Sequence, residues 1–255
     1  MSSSLPIAVF DSGVGGVSVL KQLINIMPNE SYIYYGDSKN APYGSRSHED
    51  IRSLVLLCVK ELVDMGIKAL VVACNTATSV AIDEIRAIYP ELCVIGVEPA
   101  IKPAAEYTEN GNVLVMATPA TLSEERFLNL VDKYCCDCEV ELLPCHELAG
   151  LIEQGHIDDE IINSHLENIL SPYKNKVDSV VLGCTHYPFV KNVISKHLGE
   201  NVKIFDGAIG TANETRRRLE QCDLLCDENA FPDIKILTSG DNESFCSLVS
   251  TLFNV

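Results

Sequence analysis

Short apolar runs alternate with longer amphipathic stretches along almost the whole chain. Runs rich in Val, Ile and Leu favour buried strands, and stretches with helical periodicity follow most of them. The predicted strands cover 7–11, 31–36, 69–74, 93–97, 112–117, 138–143, 178–184, 202–206 and 234–238. The predicted helices cover 15–27, 47–65, 76–89, 119–135, 158–171, 186–198, 209–221 and 241–253. This alternation predicts an α/β fold of mainly parallel sheets flanked by helices.

Two interruptions of the pattern indicate more than one domain. The stretch 98–111 contains prolines and a polar tail, and a second candidate boundary lies at 205–210. If the chain passes from one domain to the other at both places, its C-terminal segment returns to the first domain. We therefore predict a first α/β domain formed by 1–97 plus 207–255, and a second formed by 98–206.

A weak internal repeat places one cysteine after a strand in each half of the chain. KALVVACNTAT and DSVVLGCTHYP each combine an apolar strand, a cysteine, polar residues and a predicted helix, so Cys74 and Cys184 occupy equivalent places. Ligands bind beyond the carboxyl ends of parallel strands, and a helix N-terminus lowers the pKa of a thiol. The repeat therefore predicts two reactive thiols that face each other across a cleft.

Facing thiols suit the inversion of a stereocentre α to a carboxylate. One thiolate removes the proton from one face, and the other thiol returns a proton to the opposite face of the planar carbanion. The roles exchange in the reverse direction. Taken singly, Cys74 or Cys184 would be read as a buried core thiol, and only the pairing changes that interpretation.

Two polar motifs at predicted strand ends add further candidates. In FDSGVGG, Asp11 is placed to poise a thiol or to hold an ammonium group, and Ser12 to cap a helix or bind a ligand. This motif lacks both the third glycine of a dinucleotide fingerprint and the Gly-Lys-Ser/Thr of a P-loop. In GDSKNAPYGSRS, Tyr43 and Gly44 are expected to present an aromatic wall and a free backbone N–H.

Composition and charge restrict the partners and the compartment. The net charge of −17 repels phosphate backbones and anionic lipid, so we expect neither nucleic acid nor membrane as a partner. Eleven cysteines and no secretory signal indicate free thiols in the cytoplasm. One cysteine-rich group lacks the paired spacing of zinc sites, so no metal site is predicted there. Its members are Cys135, Cys136, Cys138, Cys145 and His146.

DSGVGG, GDSKNAPYG, ACNTAT and GCTHYP, in this order and spacing, resemble the glutamate racemases of the cofactor-independent aspartate/glutamate racemase superfamily. The resemblance covers nearly the whole chain. It implies two similar domains with the active site in the cleft between them, and interconversion of L- and D-glutamate without a cofactor. It also implies a supply of D-glutamate for bacterial peptidoglycan, and a homodimer.

The resemblance also assigns roles to individual residues. It implies that Cys74 removes the α-proton of D-glutamate with help from Asp11, and that Cys184 acts on L-glutamate with help from His186. The implied substrate-binding residues are Asp11, Ser12, Tyr43, Gly44, Asn75, Thr76, Thr185 and His186. Glu153 matches an acidic position near the second thiol, although a solvated helix face is an equal alternative. Thr118 and Thr121 are expected to add hydroxyls from the second domain.

Three other functions stay open at this point. An aspartate racemase or another amino-acid racemase of the superfamily would use the same two thiols on a different acid. A thiol-nucleophile amidase would use Cys184 and His186 and would not require Cys74. A non-catalytic protein would bind an acidic ligand in the cleft without exchanging its α-proton.

Overall fold

The computed structural model describes residues 2–108, 111–226 and 232–254. The predicted domain ranges also include residues 1, 109–110, 227–231 and 255, which lie outside the described residues. The strands are β1 (Ile7–Asp11), β2 (Tyr32–Gly36), β3 (Ala69–Val72), β4 (Cys93–Gly96), β5 (Asn112–Ala117), β6 (Glu139–Pro144), β7 (Ser179–Gly183), β8 (Lys203–Asp206) and β9 (Ile234–Thr238).

Helices occur between most of the strands and after the last one. They are α1 (Val17–Ile26), α2 (His48–Asp64), α3 (Asn75–Ile88), α4 (Ile101–Tyr107), α5 (Pro119–Leu122), α6 (Glu125–Tyr134), α7 (Leu148–Glu153), α8 (Glu160–Leu170), α9 (Lys191–Leu198), α10 (Ala208–Gln221) and α11 (Asn242–Phe253). Within the described ranges, no helix is both long enough and apolar enough to cross a membrane.

The strands form two parallel sheets with the same internal order. The five-stranded sheet runs β4-β3-β1-β2-β9, and the four-stranded sheet runs β6-β5-β7-β8. When β9 is left aside and the strands of each sheet are numbered in chain order, both sheets have the order second, first, third, fourth. The prediction of an α/β fold with two similar, helix-flanked parallel sheets is confirmed. β3 and β7, which precede the two repeated cysteines, hold equivalent positions.

Burial explains why these segments are strands. Every residue of β1, β3 and β7 is buried, as expected for strands covered on both faces. The largest buried apolar cluster includes Val9 of β1 together with Leu114 of β5, so the two halves share one core. This shared core packs the two halves against each other.

The chain returns to the five-stranded sheet after β8. Helix α10 packs against α1, and β9 pairs with β2 in parallel register, from Ile234 opposite Tyr32 to Thr238 opposite Gly36. The predicted ranges of 1–97 plus 207–255 and 98–206 stay a prediction.

Some helices differ from the sequence-based prediction. The single helix predicted over 119–135 is wrong, because the chain breaks between α5 and α6. Glu124 at the break has an extended backbone, and its carboxylate lies 2.8 Å from Nδ1 of His48. The helix predicted over 186–198 starts instead as a 3-10 turn at Tyr187–Val190, which contains Pro188. Helices α4 and α7 were not predicted, because six or seven residues are too few to show helical periodicity.

Candidate active site

Asp11 ends β1 and lies completely buried where the two halves meet. Its Oδ1 accepts a hydrogen bond from the backbone N–H of Gly13 at 2.8 Å, and its Oδ2 accepts one from the hydroxyl of Thr185 at 3.0 Å. Burial raises the pKa of Asp11 above its ordinary value, although the positive charge of His186 and the Gly13 bond oppose the shift. The carboxylate therefore connects the end of β1 to the segment after β7.

Cys74 follows β3 and caps helix α3. Its Sγ accepts a hydrogen bond from the N–H of Ala77 at 3.4 Å and lies 3.5 Å from the hydroxyl of Ser12. Burial and the negative charge of Asp11 raise the pKa of Cys74 to about 12, despite these two hydrogen bonds. The expectation of a lowered thiol pKa at this helix start is therefore wrong, because removal from water outweighs the helix N-terminus.

Cys184 follows β7 and is also buried. The expectation that it stands directly before an α-helix is wrong, because the 3-10 turn at Tyr187–Val190 intervenes. Its Sγ lies instead 3.6 Å from Nδ1 of His186. Burial raises the pKa of Cys74 most, and negative charge on Asp11 and on Cys184 adds to the shift.

His186 connects Cys184 to a carboxylate. Its Nε2 lies 2.5 Å from Oε1 of Glu153 at the end of α7, and the same oxygen accepts a hydrogen bond from the N–H of Val14 at 2.8 Å. Burial alone would lower the pKa of His186, but its hydrogen bonds to Cys184 and Glu153 and their negative charges raise it well above 6.5. An imidazolium between a sulfur and a carboxylate stabilises a negative charge on both.

Three threonine hydroxyls form a triangle between the halves. Thr76 Oγ1 lies 3.0 Å from Thr118 Oγ1 and 3.3 Å from Thr121 Oγ1, and the last two lie 3.0 Å apart. Gly44 packs directly on this triangle, since a Cβ at Gly44 would lie 2.8 Å from Cβ of Thr118. The first-half residues Gly44 and Thr76 thus meet the two second-half threonines.

Tyr43 is held by a residue that the sequence analysis missed. Its buried hydroxyl donates a hydrogen bond to Oδ2 of Asp37 at 2.6 Å, and Asp37 also accepts hydrogen bonds from Asn40 and Ser239. Tyr43 therefore anchors the loop that carries Gly44. Asp37 could have been found by the signal that identified Asp11, a carboxylate at the carboxyl end of a buried strand.

Asn75 is the first residue of α3 and is also buried. Its Oδ1 accepts no hydrogen bond from any described residue. An unpaired buried oxygen of this kind is available to a ligand that carries a donor. Contacts thus connect most of the site residues predicted from the sequence, whereas Tyr43 and Asn75 adjoin them in the chain, next to Gly44 and Thr76.

The cysteine-rich group has a different character. Cys145 is buried, and Cys136 is exposed. Across residues 2–108, 111–226 and 232–254, no three His, Cys, Asp or Glu side chains are arranged to hold a metal ion.

Comparison with known proteins identifies the family of the chain. Residues 7–215 match the family model described as Asp/Glu/Hydantoin racemase. The chain is 46% identical over 248 residues to the glutamate racemase of Clostridium botulinum (strain Alaska E43 / Type E3), covering 97% of this chain and 96% of that protein. It is 47% identical over 251 residues to the glutamate racemase of Clostridium perfringens (strain SM101 / Type A), covering 98% and 96%.

A crystal structure of glutamate racemase from Francisella tularensis in complex with D-glutamate superposes with a TM-score of 0.86. That protein is 31% identical, and the match covers 99% of this chain and 95% of the other. On this evidence of sequence and fold, the chain belongs to the Asp/Glu/Hydantoin racemase family.

Proposed function

We propose that this chain is a glutamate racemase that interconverts L- and D-glutamate by cofactor-independent transfer of a proton between two thiols. The observation that carries the proposal is the pair of buried thiols, Cys74 and Cys184, at equivalent ends of β3 and β7. Each thiol has its own neighbouring groups. The relatives named glutamate racemase, and the related structure that holds D-glutamate, support the choice of substrate.

In the direction from L- to D-glutamate, the thiolate of Cys184 takes the α-proton from one face. The imidazolium of His186, whose pKa is raised, stabilises that thiolate before the transfer. Cys74 is protonated in the free protein, because burial raises its pKa to about 12. It therefore supplies a proton to the opposite face of the carbanion, and the C–H bond broken on one side is replaced on the other.

In the direction from D- to L-glutamate, the protein starts in the form that the opposite turnover leaves, in which Cys184 is the thiol and Cys74 is the thiolate. Cys184 returns a proton to one face of the carbanion after the other face has lost its α-proton to Cys74. The hydroxyl of Ser12 and the N–H of Ala77 point to its sulfur and stabilise the thiolate. Asp11 provides a carboxylate of raised pKa beside this thiol. The substrate ammonium group, once bound near Asp11, offsets the repulsion between that carboxylate and the thiolate.

The groups proposed to bind the two substrate carboxylates are neutral donors rather than cations. The two carboxylates are bound by hydroxyls of Ser12, Thr76, Thr118 and Thr121, by the amide of Asn75 and by backbone N–H groups near Tyr43, Gly44 and Thr185. The Thr185 hydroxyl itself donates to Asp11. Donors of this kind gain strength in a site from which water is excluded. Enclosure also prevents random protonation of the carbanion.

Cys74 and Cys184 are only 6% and 8% exposed, so glutamate enters when the two halves part. We propose that these halves are the domains 1–97 plus 207–255 and 98–206, with the active site in the cleft between them. Closure around the substrate then restores the contacts described above.

The cellular role follows from the same assignment. D-glutamate made in the cytoplasm would serve peptidoglycan synthesis. All eleven cysteines are free, which supports a reducing compartment. The homodimer rests on the family resemblance alone.

The test is proton NMR of L-glutamate in D₂O, followed together with circular dichroism of the amino acid. The wild type should exchange the α-proton while the optical signal decays, and Cys74→Ser and Cys184→Ser should each lose at least about a hundredfold in racemisation. Cys136→Ser is the matched control, since this exposed cysteine lies outside the site. Exchange with aspartate instead of glutamate would favour the aspartate racemase alternative. Full activity of Cys74→Ser would overturn the two-thiol mechanism.

A further inference from the structure

Tyr34 lies under the site in the middle of β2 and is completely buried. Its hydroxyl donates a hydrogen bond to the carbonyl oxygen of Gly13 at 2.8 Å. That carbonyl and the N–H of Val14 belong to one planar trans peptide group, in which the two bonds point in opposite directions. Holding the carbonyl therefore fixes the direction of the Val14 N–H.

The Val14 N–H is directed at the carboxylate beside the second thiol. It donates to Oε1 of Glu153 at 2.8 Å, and the same oxygen lies 2.5 Å from Nε2 of His186. The other ring nitrogen of His186 lies 3.6 Å from the sulfur of Cys184. One continuous series of hydrogen-bonded groups thus runs from the Tyr34 hydroxyl to the Cys184 sulfur.

We infer that Tyr34 is a positioning residue for the second thiol, because its hydroxyl sets the peptide group that holds Glu153 against His186. The inference rests on the proposed function of Cys184. Two partners share Oε1 of Glu153, so the direction of the Val14 N–H determines where that oxygen lies relative to Nε2 of His186. The pKa of Tyr34 is raised by burial and by the nearby Asp11, Glu153 and Cys74, so the hydroxyl stays a donor throughout the working pH range.

The surroundings of Tyr34 hold this geometry in place. Its ring stacks on Phe245 of α11, with centroids 6.3 Å apart and planes at 20°. Gly36, two residues further along β2, leaves room for the arrangement, since a Cβ there would lie 2.5 Å from the carbonyl oxygen of Gly13. Helix α11 and strand β2 together therefore hold the Gly13 carbonyl in place.

Tyr32 provides a matched control in the same strand. It lies two residues earlier on the same face of β2, is equally buried, and its hydroxyl donates to the carbonyl oxygens of Leu23 and Met27 at 2.9 Å. Those carbonyls end helix α1 and have no contact with the site. Tyr32→Phe and Tyr34→Phe each remove one buried hydroxyl from β2. They differ in the carbonyl oxygens that lose a hydrogen bond, which end helix α1 in the first variant and belong to Gly13 in the second.

The first experiment compares steady-state kinetics and thermal unfolding of the wild type, Tyr34→Phe and Tyr32→Phe. We expect Tyr34→Phe to lower kcat about tenfold with KM changed less than about twofold, because the hydroxyl does not touch the substrate. Tyr32→Phe should lower the melting temperature by a similar amount and leave kcat unchanged. If both variants keep wild-type kcat, Tyr34 is only a core residue and the inference is overturned.

Isotope effects identify the thiol through which Tyr34 acts. Enantiomers have equal free energies, so kcat/KM must fall equally in both directions and cannot distinguish the two bases. A weaker base at Cys184 makes removal of the L-glutamate α-proton more rate-limiting. Tyr34→Phe should therefore raise the primary isotope effect with L-[2-²H]glutamate more than with D-[2-²H]glutamate. The opposite order, or equal increases, would contradict action through Cys184.

A double-mutant cycle with Glu153→Gln tests the intermediate step. If Tyr34 acts through Glu153, the loss in the double variant should be clearly smaller than the product of the single losses. Multiplicative losses would overturn the proposed route.

If Tyr34→Phe does not fold, Phe245→Leu is used in its place, because the smaller side chain loosens the packing of the Tyr34 ring against α11. Unchanged isotope effects in Phe245→Leu would count against the inference. Absence of α-proton exchange in the wild type would instead refute the proposed function.

Discussion

Oε1 of Glu153 lies 2.5 Å from Nε2 of His186 and at the same time accepts the N–H of Val14, which belongs to the other sheet's half of the molecule. The Glu153 carboxylate, beside the second thiol, therefore has both of these hydrogen-bond partners only when the two halves are together. Thr185 and Asp11 form a second bridge of this kind at 3.0 Å. Under the proposed mechanism, closure of the cleft and activation of Cys184 are one event.

The bond between Glu153 and His186 predicts a change in pH dependence. Glu153→Gln removes one of the two negative partners that raise the pKa of His186, while the burial that lowers this pKa remains. The imidazolium should then lose its proton at a lower pH. We expect the alkaline limb of the kcat/KM profile to move down by about one pH unit or more.

The same variant predicts a change in stability with a definite sign. A histidine whose pKa is raised on folding stabilises the protein fully below its unfolded pKa, about 6.5, and this contribution is lost as the pH rises through the folded pKa. The wild type should therefore exceed Glu153→Gln in unfolding free energy most clearly at acidic to neutral pH. Urea unfolding at several pH values measures this. A constant difference between the two proteins would contradict the protonated His186.

Gly13 predicts a separation between activity and stability. A Cβ at this position would lie 1.9 Å from Oε1 of Glu153, which is the end of a flexible side chain. In Gly13→Ala the carboxylate should move away rather than the backbone. We expect kcat to fall about tenfold to a hundredfold, with a loss of only about 1–2 kcal/mol in unfolding free energy.

Gly150→Ala is the control for that prediction. Gly150 lies in α7, the same helix as Glu153, and a Cβ there has no neighbour within 4 Å. Alanine should stabilise the helix by about 0.5–1 kcal/mol and leave kcat unchanged. Equal kcat in Gly13→Ala and Gly150→Ala would show that the position of Glu153 does not matter for turnover.

Much of the fold and of the candidate site could be predicted from the sequence, because the patterns involved lie in residues that are neighbours in the chain. Strand ends follow from apolar runs, so Asp11, Cys74 and Cys184 could be placed at the carboxyl ends of β1, β3 and β7. The equivalent positions of the two cysteines were visible because KALVVACNTAT and DSVVLGCTHYP repeat one local pattern, and β3 and β7 hold equivalent places in the two sheets. Patterns of this kind are carried by neighbouring residues in the chain.

Other features depend on how the two halves pack, and the sequence could not provide them. The pKa of Cys74 was expected to fall, but burial at the meeting of the sheets raises it to about 12. The contact of Glu153 with Val14 joins residues far apart in the chain, through the helix α7, which is too short for a recognisable period. The role inferred for Tyr34 likewise appears only when its hydroxyl is seen on Gly13.

Closure of the cleft predicts protection of both thiols by substrate. Cys74 and Cys184 are buried, whereas Cys136 is exposed. Alkylation of the two buried thiols must wait for opening, so D-glutamate at about ten times its dissociation constant should slow both reactions about tenfold. Peptide mass spectrometry after timed alkylation gives the three rates. Cys136 serves as the internal control, and protection of Cys136 to the same extent would point to an effect unrelated to the cleft.

A buried ion pair far from the thiols predicts a large loss of stability. Lys68 is completely buried and Glu30 nearly so, and Nζ of Lys68 lies 2.5 Å from Oε2 of Glu30. Lys68→Met leaves the carboxylate buried without its partner, which should cost about 3–5 kcal/mol in unfolding free energy. Adding Glu30→Gln to that variant should recover part of the loss, because it removes the unpaired charge. Lys60→Met is the control.

Lys60 pairs with Asp64 on the exposed face of α2, where water screens the charges, so its loss should hardly change the unfolding midpoint in urea. The comparison isolates burial, since both variants replace a paired lysine with methionine. Equal midpoints for Lys68→Met and Lys60→Met would mean that the buried carboxylate of Glu30 takes up a proton or reaches water at little cost. A low midpoint for Lys68→Met that Glu30→Gln restores would establish the unpaired charge as the cause.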